Sequence, residues 1–285
     1  MKVFISVDME GIASLVRWAD VSSNGIDFPR NRIAMTLDTN AAIEGALAAG
    51  ATEIVVEENH GVEDLCVLDM DHIHPQCTVI RGAGRPGATT MAGLDKATDV
   101  VLLIGHHASA GSFPGIMAHT ISYGMFKKVW LGDKVIGEAD FFAIRAGELG
   151  VPIGMVSGDQ VVAEQVLAIC PDAEAVVVKQ ALGNQSARCM PPIPARALIR
   201  EGAETAVLKA STGQLKPFTD ISAPYEFTVE LRKPAPATMR DNLAGLDHFE
   251  LIEADVVRVT AADMFIGFRR VAYLGYADTA GVTRH

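Results

Sequence analysis

Cysteine is scarce and scattered in this chain of 285 residues. Cys66, Cys77, Cys170 and Cys189 lie far apart, with no CxxC pair. Neither a zinc ribbon nor a disulfide scaffold is indicated, and the four read as buried or idle thiols. Long apolar runs are missing too: 49% of residues are hydrophobic, yet no uncharged stretch approaches the roughly 20 residues of a membrane span. Positive charge is short, with 24 Lys and Arg against 35 Asp and Glu and a net charge of −11. That balance argues against a nucleic-acid partner, which needs clustered Lys and Arg. It leaves anionic small molecules open, since a metal can reverse the local field. The first residues read directly as a strand, with no basic n-region, apolar h-region or cleavage site, so a soluble, cytoplasmic protein without a membrane partner is expected. The stretch Gly82-Ala83-Gly84-Arg85-Pro86-Gly87 lacks both GxGxxG spacing and a Walker Lys-Ser/Thr pair. It reads as a flexible loop, not a phosphate cradle.

The informative stretch is Val3-Phe4-Ile5-Ser6-Val7-Asp8-Met9-Glu10-Gly11. A buried strand ends in two carboxylates one residue apart, which share a face if the strand persists to Glu10. Like charges side by side destabilise each other unless something positive lies between them, and a divalent metal is the usual answer. The plainer alternative is that Asp8 caps a turn and Glu10 is solvated. Gly11 frees the backbone to turn away.

Residues 12–31 mix Gly, Ser, Asn, Asp and Pro without periodicity and read as a long, functional loop. Arg32 to Ala49 reads as a helix stopped by Gly50, and Ile54-Val55-Val56 as a second strand ending near His60. Strand, helix and strand make a βαβ unit, hence a parallel sheet with His60 at the same carboxyl edge as Asp8 and Glu10. Thr78-Val79-Ile80 is a short strand, Ala92 to Lys96 a short helix, and Val100 to Ile104 a buried strand running into Gly105-His106-His107. A hairpin at Gly132-Asp133 follows, and Glu138 opens an amphipathic helix to about Leu149. Strand, helix and strand recur from Pro152 to Lys179. After about residue 190 come a helix to about Lys209, alternating strands over Glu226–Arg232 and Leu251–Thr260, and a final helix over Ala262–Leu274. The expected fold is α/β, a mostly parallel sheet flanked by helices in three layers, with a smaller C-terminal α+β part. Residues 1–190 form the metal-binding catalytic domain and 191–285 the part that shapes the site and assembly contacts.

Open α/β sheets bind ligands at their carboxyl edge. Asp8, Glu10, His60 and His106-His107 converge there, with Glu138 just past the hairpin. Mixed carboxylate and imidazole groups suit a transition metal, and above all a co-catalytic zinc pair.

Ser6-Val7-Asp8-Met9-Glu10-Gly11, Arg32-Ile33-Ala34-Met35-Thr36, His60, Gly105-His106-His107-Ala108, Pro114-Gly115-Ile116-Met117-Ala118-His119 and Val135-Ile136-Gly137-Glu138 together resemble the zinc D-aminopeptidase family, the dipeptide-transport aminopeptidases. The resemblance runs to about Pro191, takes in Val178-Lys179-Gln180 and Cys189, and continues more weakly to the end. His106 departs from it, since a bulkier aromatic is expected before His107. The resemblance implies two zinc ions per chain, with Asp8 bridging them and Glu10, His60, His107 and Glu138 completing the ligands. His119 matches the family's catalytic histidine, as base, acid, electrophilic stabiliser or nucleophile. It further implies removal of an N-terminal D-amino acid from a small peptide or amide, and a homo-oligomer, a decamer of two stacked rings of five.

Two other readings stay open on the residues alone. One is a dinuclear-metal hydrolase of another small amide, ester or phosphoester, for which only Arg85 and Lys127/Lys128 offer positive charge. The other is a non-catalytic binding or assembly protein. A second cluster, Asp69 to His74, has metal-like composition, but Pro75 and the lack of a strand favour loop packing.

Overall fold

The computed structural model describes residues 1–85 and 91–275; Pro86 and Gly87 of the glycine-rich stretch lie outside them. In chain order come β1 (Lys2–Val7), α1 (Trp18–Val21), α2 (Phe28–Ala48), β2 (Glu53–Glu58), β3 (Thr78–Ile80), β4 (Val100–Ile104), β5 (Phe126–Leu131), β6 (Lys134–Val135) and α3 (Glu138–Glu148). Then follow β7 (Ile153–Asp159), α4 (Gln160–Leu167), β8 (Glu174–Ala181), β9 (Ala187–Cys189), α5 (Pro192–Ser211), β10 (Tyr225–Leu231), α6 (Ala237–Leu243), β11 (Phe249–Glu253), β12 (Val256–Ala261) and α7 (Met264–Leu274).

Every residue of β1 from Val3 to Val7 is buried. Val3, Ile5 and Val7 join one core and Phe4 the other, as strand alternation requires. A strand apolar on both faces belongs inside a covered sheet. β1 accordingly pairs in parallel with β2 on one side and β4 on the other. The order is β3-β2-β1-β4-β7-β8-β9, parallel throughout except for β9, which runs antiparallel to β8. Helices α2 and α5 pack together over one face, and α3 and α4 lie on the other. This is the three-layer α/β fold that the sequence predicts. The chain leaves β1 toward β2 and β3, then crosses to β4. The β1/β4 gap is therefore the switch point at which such sheets bind ligands.

A second, antiparallel sheet has the order β11-β12-β10-β5-β6. Its members come from both sides of residue 190: the β5–β6 hairpin precedes it and β10 to β12 follow it. Conversely α5, just beyond residue 190, packs on the first sheet. Helix α7 lies on β10 and β12 and touches α3. Phe141 of α3 stacks on Phe227 of β10 at 5.3 Å and meets Phe268 of α7 edge-on at 5.2 Å. Each buried ring contributes about 1.5–3 kcal/mol, so this trio fastens the two sheets together.

Several element boundaries differ from the sequence expectation. Helix α2 starts at Phe28, four residues before Arg32, because Pro29 suits a first helical turn. The loop expected over 12–31 holds the one-turn α1. Residues 92–96 form turns instead of a helix, with Gly93 at φ +89°. No helix of the described residues is long and apolar enough to cross a membrane.

Gly11 does not have a positive φ. Its smallness serves close approach instead: a Cβ there would lie 2.2 Å from the His106 carbonyl oxygen, and the Gly11 N–H donates to the Gly105 carbonyl at 2.7 Å. Gly105 answers with φ +70° and a virtual Cβ 2.3 Å from the Asp8 carbonyl oxygen. The ends of β1 and β4 thus pack backbone on backbone. Gly11→Ala is expected to cost about 1–3 kcal/mol in chemical denaturation, the usual range for overpacking.

At the end of β2, Glu57 is buried; its Oε1 accepts the Ala92 N–H at 2.7 Å and lies 3.6 Å from Arg85. Burial pushes its carboxyl up to about 8, against the pull of Arg85 and the Ala92 N–H. Because the folded value exceeds the ordinary 4.5, the folded chain keeps a proton that the unfolded chain releases. That contribution to stability is full below about pH 4.5 and is lost as the pH rises through about 8. Glu57→Gln removes the titration, so its Tm relative to wild type should climb between pH 5 and 8. An equal difference at both ends would refute the assignment.

Candidate metal centre

Four loops at the carboxyl edge bring the candidate side chains together. Asp8 and Glu10 follow β1, His60 follows β2, His107 follows β4, and Glu138 is the first residue of α3. All five are 6% exposed or less. Strand β1 ends at Val7, yet the two acids still converge. Asp8 Oδ1 lies 3.2 Å and Glu10 Oε2 3.0 Å from the same atom, His60 Nδ1. The other oxygen of Asp8, Oδ2, lies 3.4 Å from His107 Nε2, which is also 3.3 Å from Glu138 Oε1. Asp8 thus faces a different imidazole with each oxygen.

The backbone holds the rings. His60 Nε2–H donates to the Val21 carbonyl at 2.8 Å, which fixes the ring with Nδ1 facing both acids. His107 Nδ1–H donates to the Ala108 carbonyl at 3.1 Å, leaving Nε2 buried without a hydrogen-bond partner. His119 stacks on His107 at 3.8 Å and donates from Nδ1 to the Met117 carbonyl at 2.8 Å. Its Nε2 is left 3.8 Å from Glu138 Oε1. Two bulky residues bracket His119 in the left-handed region, Met117 at φ 46° and Ile121 at φ 61°. The Ile121 N–H donates to Glu138 Oε1 at 2.8 Å. A β-branched residue seldom adopts that conformation, and such strain concentrates where geometry serves function.

Electrostatics follow from the crowding. Burial would raise the Asp8 carboxyl, but the imidazoles of His107 and His60 beside it hold it well below the usual range. Burial opposes protonation of His60 and His107, yet the carboxylates around them push both well above an ordinary histidine. Glu138 falls below its ordinary value: burial works against this, and the charge of the neighbouring His107 prevails. His119 goes down, by burial and by the neighbouring His107 charge. The buried acids draw positive charge toward themselves.

Two groups of ligand atoms each lie within 4.8 Å of one another: Asp8, Glu10 and His60, and His107, His119 and Glu138. Bonds of about 2.0–2.1 Å at a tetrahedral angle would put neighbouring zinc ligands about 3.3 Å apart. The N···O separations here, 3.0–3.4 Å, match that edge. Together with the orphaned His107 Nε2 and the mixed N/O donors, the residues fit zinc. The Asp69–His74 segment forms no such group: Asp69 binds His72 at 2.9 Å, and Asn40 donates to the His72 carbonyl and accepts the His74 N–H.

The pocket in front of these groups holds about 230 Å³ and is lined by Trp18, Val21, His119, Ile121, Phe268 and Ala272 besides the acids. Trp18 meets His119 edge-on at 5.4 Å. Sequence reasoning missed Trp18, which lay in an expected loop, and Phe268 and Ala272, which only the tertiary fold delivers. Asn59 was adjacent to His60, and its Nδ2 lies 3.5 Å from Glu138. His106 points away from this cluster into the core, edge-on to Phe142 at 5.5 Å. Lys179 had a signal, a charge at the end of an apolar strand, and it is fully buried with three carbonyl partners from the loop after Glu10.

Comparison with known proteins agrees with the geometry. The chain is 32% identical over 224 residues to a D-aminopeptidase of Bacillus subtilis (strain 168), 79% of each chain. Its fold matches the Zn-dependent D-aminopeptidase DppA from Bacillus subtilis, a self-compartmentalizing protease, with TM-score 0.88 at 26% identity over 100% of both chains. Because the profile of the peptidase M55 family, D-aminopeptidase, also matches residues 1–272, this chain is a hydrolase that belongs to the D-aminopeptidase family.

Proposed function

We propose that the protein removes an N-terminal, D-configured amino acid from short peptides or amides at a centre of two zinc ions. The observation that carries this reading is the split environment of buried Asp8, whose two oxygens face His60 and His107 separately. Asp8, Glu10, His60, His107 and Glu138 are the residues that would hold the ions, Glu10 and His60 on one side of Asp8 and His107 and Glu138 on the other. Two zinc ions in such a site would supply activation of a water nucleophile and polarisation of the scissile carbonyl. The protein's own residues do the rest. His119, with Nδ1–H fixed on the Met117 carbonyl, offers Nε2 to the pocket as a proton acceptor from the attacking water and a donor to the leaving amine. The acids beneath it favour the free ammonium of a substrate N-terminus over a blocked one. Trp18, Val21, Ile121, Phe268 and Ala272 enclose the side chain and exclude water.

Amide over phosphoester substrates is supported by where the positive charges lie. Arg85 engages Glu57 and the Glu58 carbonyl, and Lys127 pairs with Glu230 on the second sheet. Among the described residues lining the pocket there is neither Lys nor Arg. Assembly into a homo-oligomer, a decamer by kinship, is supported by large apolar residues on the surface: Ile26 at 97% exposed, Ile193 at 81% and Phe113 at 80%. We place the protein in the cytoplasm.

The test is elemental analysis beside hydrolysis of D- and L-aminoacyl amides and dipeptides. About two zinc per chain with D-selective cleavage is the expected result. A well-folded, undialysed sample without zinc would sink the ligand assignment. His119→Ala should keep its zinc and lose about 10²–10⁴-fold in kcat, the usual contribution of a general acid–base group. Full turnover in that variant would remove His119 from the mechanism.

A further inference from the structure

Lys179 stands near the end of β8, is 2% exposed, and is used by no step above. A lysine is almost never fully buried unless its charge and its three N–H donors are satisfied. Here three backbone carbonyls satisfy them: Nζ donates to Glu10 at 2.5 Å, Ile12 at 2.8 Å and Leu15 at 2.5 Å. No carboxylate among the described residues lies within ion-pair reach of Nζ; Asp159 and Asp38, whose charges act on it, are engaged by the Ile116, Val161 and Val162 N–H groups and by Arg196. The ammonium therefore gathers three carbonyls of one loop around a single point, much as a bound cation would.

That loop is the one that carries the site. Its first clamped carbonyl belongs to Glu10, whose carboxylate approaches His60. Past Leu15 the loop enters α1, where Asp20 accepts the Val16 and Arg17 N–H groups at 3.0 and 2.9 Å. Helix α1 then supplies the Val21 carbonyl that fixes the His60 ring and the Trp18 edge that meets His119. Glu10 and His60 thus depend, through the backbone, on one buried amine. The His107–Glu138 end hangs on β4 and α3 instead.

We propose that Lys179 is a positioning residue for the metal centre: its ammonium holds the Glu10–Leu15 loop so that Glu10 and His60 present one half of the zinc site, while the other half is independent of it. This rests on the two-zinc reading above. Partners of that kind typically cost about 10–100-fold in metal affinity or activity when removed.

The experiment is Lys179→Met, close in volume but without donors, titrated with a competing chelator while zinc per chain is followed by elemental analysis. One of the two ions should leave at about 10–100-fold weaker competition than in wild type, and the other should leave as before. Lys179→Gln, which keeps two N–H donors, should fall between them. With zinc saturating, kcat should recover further than at limiting zinc, which a lysine that merely stabilises the fold would not produce. Both ions held with wild-type affinity, or both weakened equally, would overturn the inference. So would a chain that cannot fold in saturating zinc with either Met or Gln, since Lys179 would then serve the fold alone. A wild-type chain that binds no zinc pair overturns the reading of the site as well, whereas a two-zinc wild type beside an unaltered Lys179→Met overturns the inference alone.

Discussion

Three carboxylates share a buried pocket, and most of the surrounding structure can be understood as a response to that charge. Asp8 and Glu10 have ligand atoms within 4.8 Å of each other. At an effective dielectric of about 20 such a pair repels by about 3–4 kcal/mol. A domain is stable by only about 5–15 kcal/mol in total, so the cluster persists only with compensating positive charge. Without metal the compensation comes from His60 and His107, both pushed toward imidazolium. On the proposed assignment the same imidazoles would be neutral ligands of a cation, and proton release and metal binding would be one process.

Holding like charges together demands a rigid frame, and the chain supplies it through backbone groups more than through side chains. The ends of β1 and β4 touch at Gly11 and Gly105, where a Cβ would lie 2.2–2.3 Å from a neighbouring carbonyl group. His60, His107 and His119 are each oriented by a carbonyl, from Val21, Ala108 and Met117. Val21 is the last residue of α1, whereas Ala108 and Met117 lie in the segment between β4 and β5. Met117 and Ile121 show the cost: two left-handed residues are tolerated on either side of His119 to turn its ring onto His107.

Much of this was legible in the sequence, for a physical reason. β1, β2 and β4 are short apolar runs that end abruptly in polar residues, and in a parallel sheet those ends must lie on one edge. The convergence of Asp8, Glu10, His60 and His107 followed from that rule, and Glu138 from its place just past the hairpin. Where local signals compete, legibility failed. Gly93 breaks the helix expected at Ala92–Lys96, whereas Pro29 begins α2 earlier than its apolar pattern suggests. Helix α1 is a single turn held by Asp20 and Arg17, too short to leave a period. Gly11 does sit in a turn, closed by the Ile12 N–H on the Met9 carbonyl at 3.2 Å, but what the position demands is closeness to β4 more than a positive φ.

What no local pattern could supply is the pocket wall contributed from afar. Phe268 and Ala272 belong to α7, about 130 residues beyond Glu138 in the chain, and reach the pocket because α7 is wedged between the second sheet and α3. The Phe141–Phe227–Phe268 contacts that bind the two sheets therefore also set the floor on which α3 begins, and Glu138 is the first residue of α3. Packing between the sheets and the aim of one site carboxylate are thus a single structural variable. A loosened aromatic cluster would be felt at Glu138 before it was felt at Asp8 or Glu10, whose loop is anchored on the opposite flank by Lys179. The two halves of the site are supported by different parts of the molecule, and Asp8 faces both.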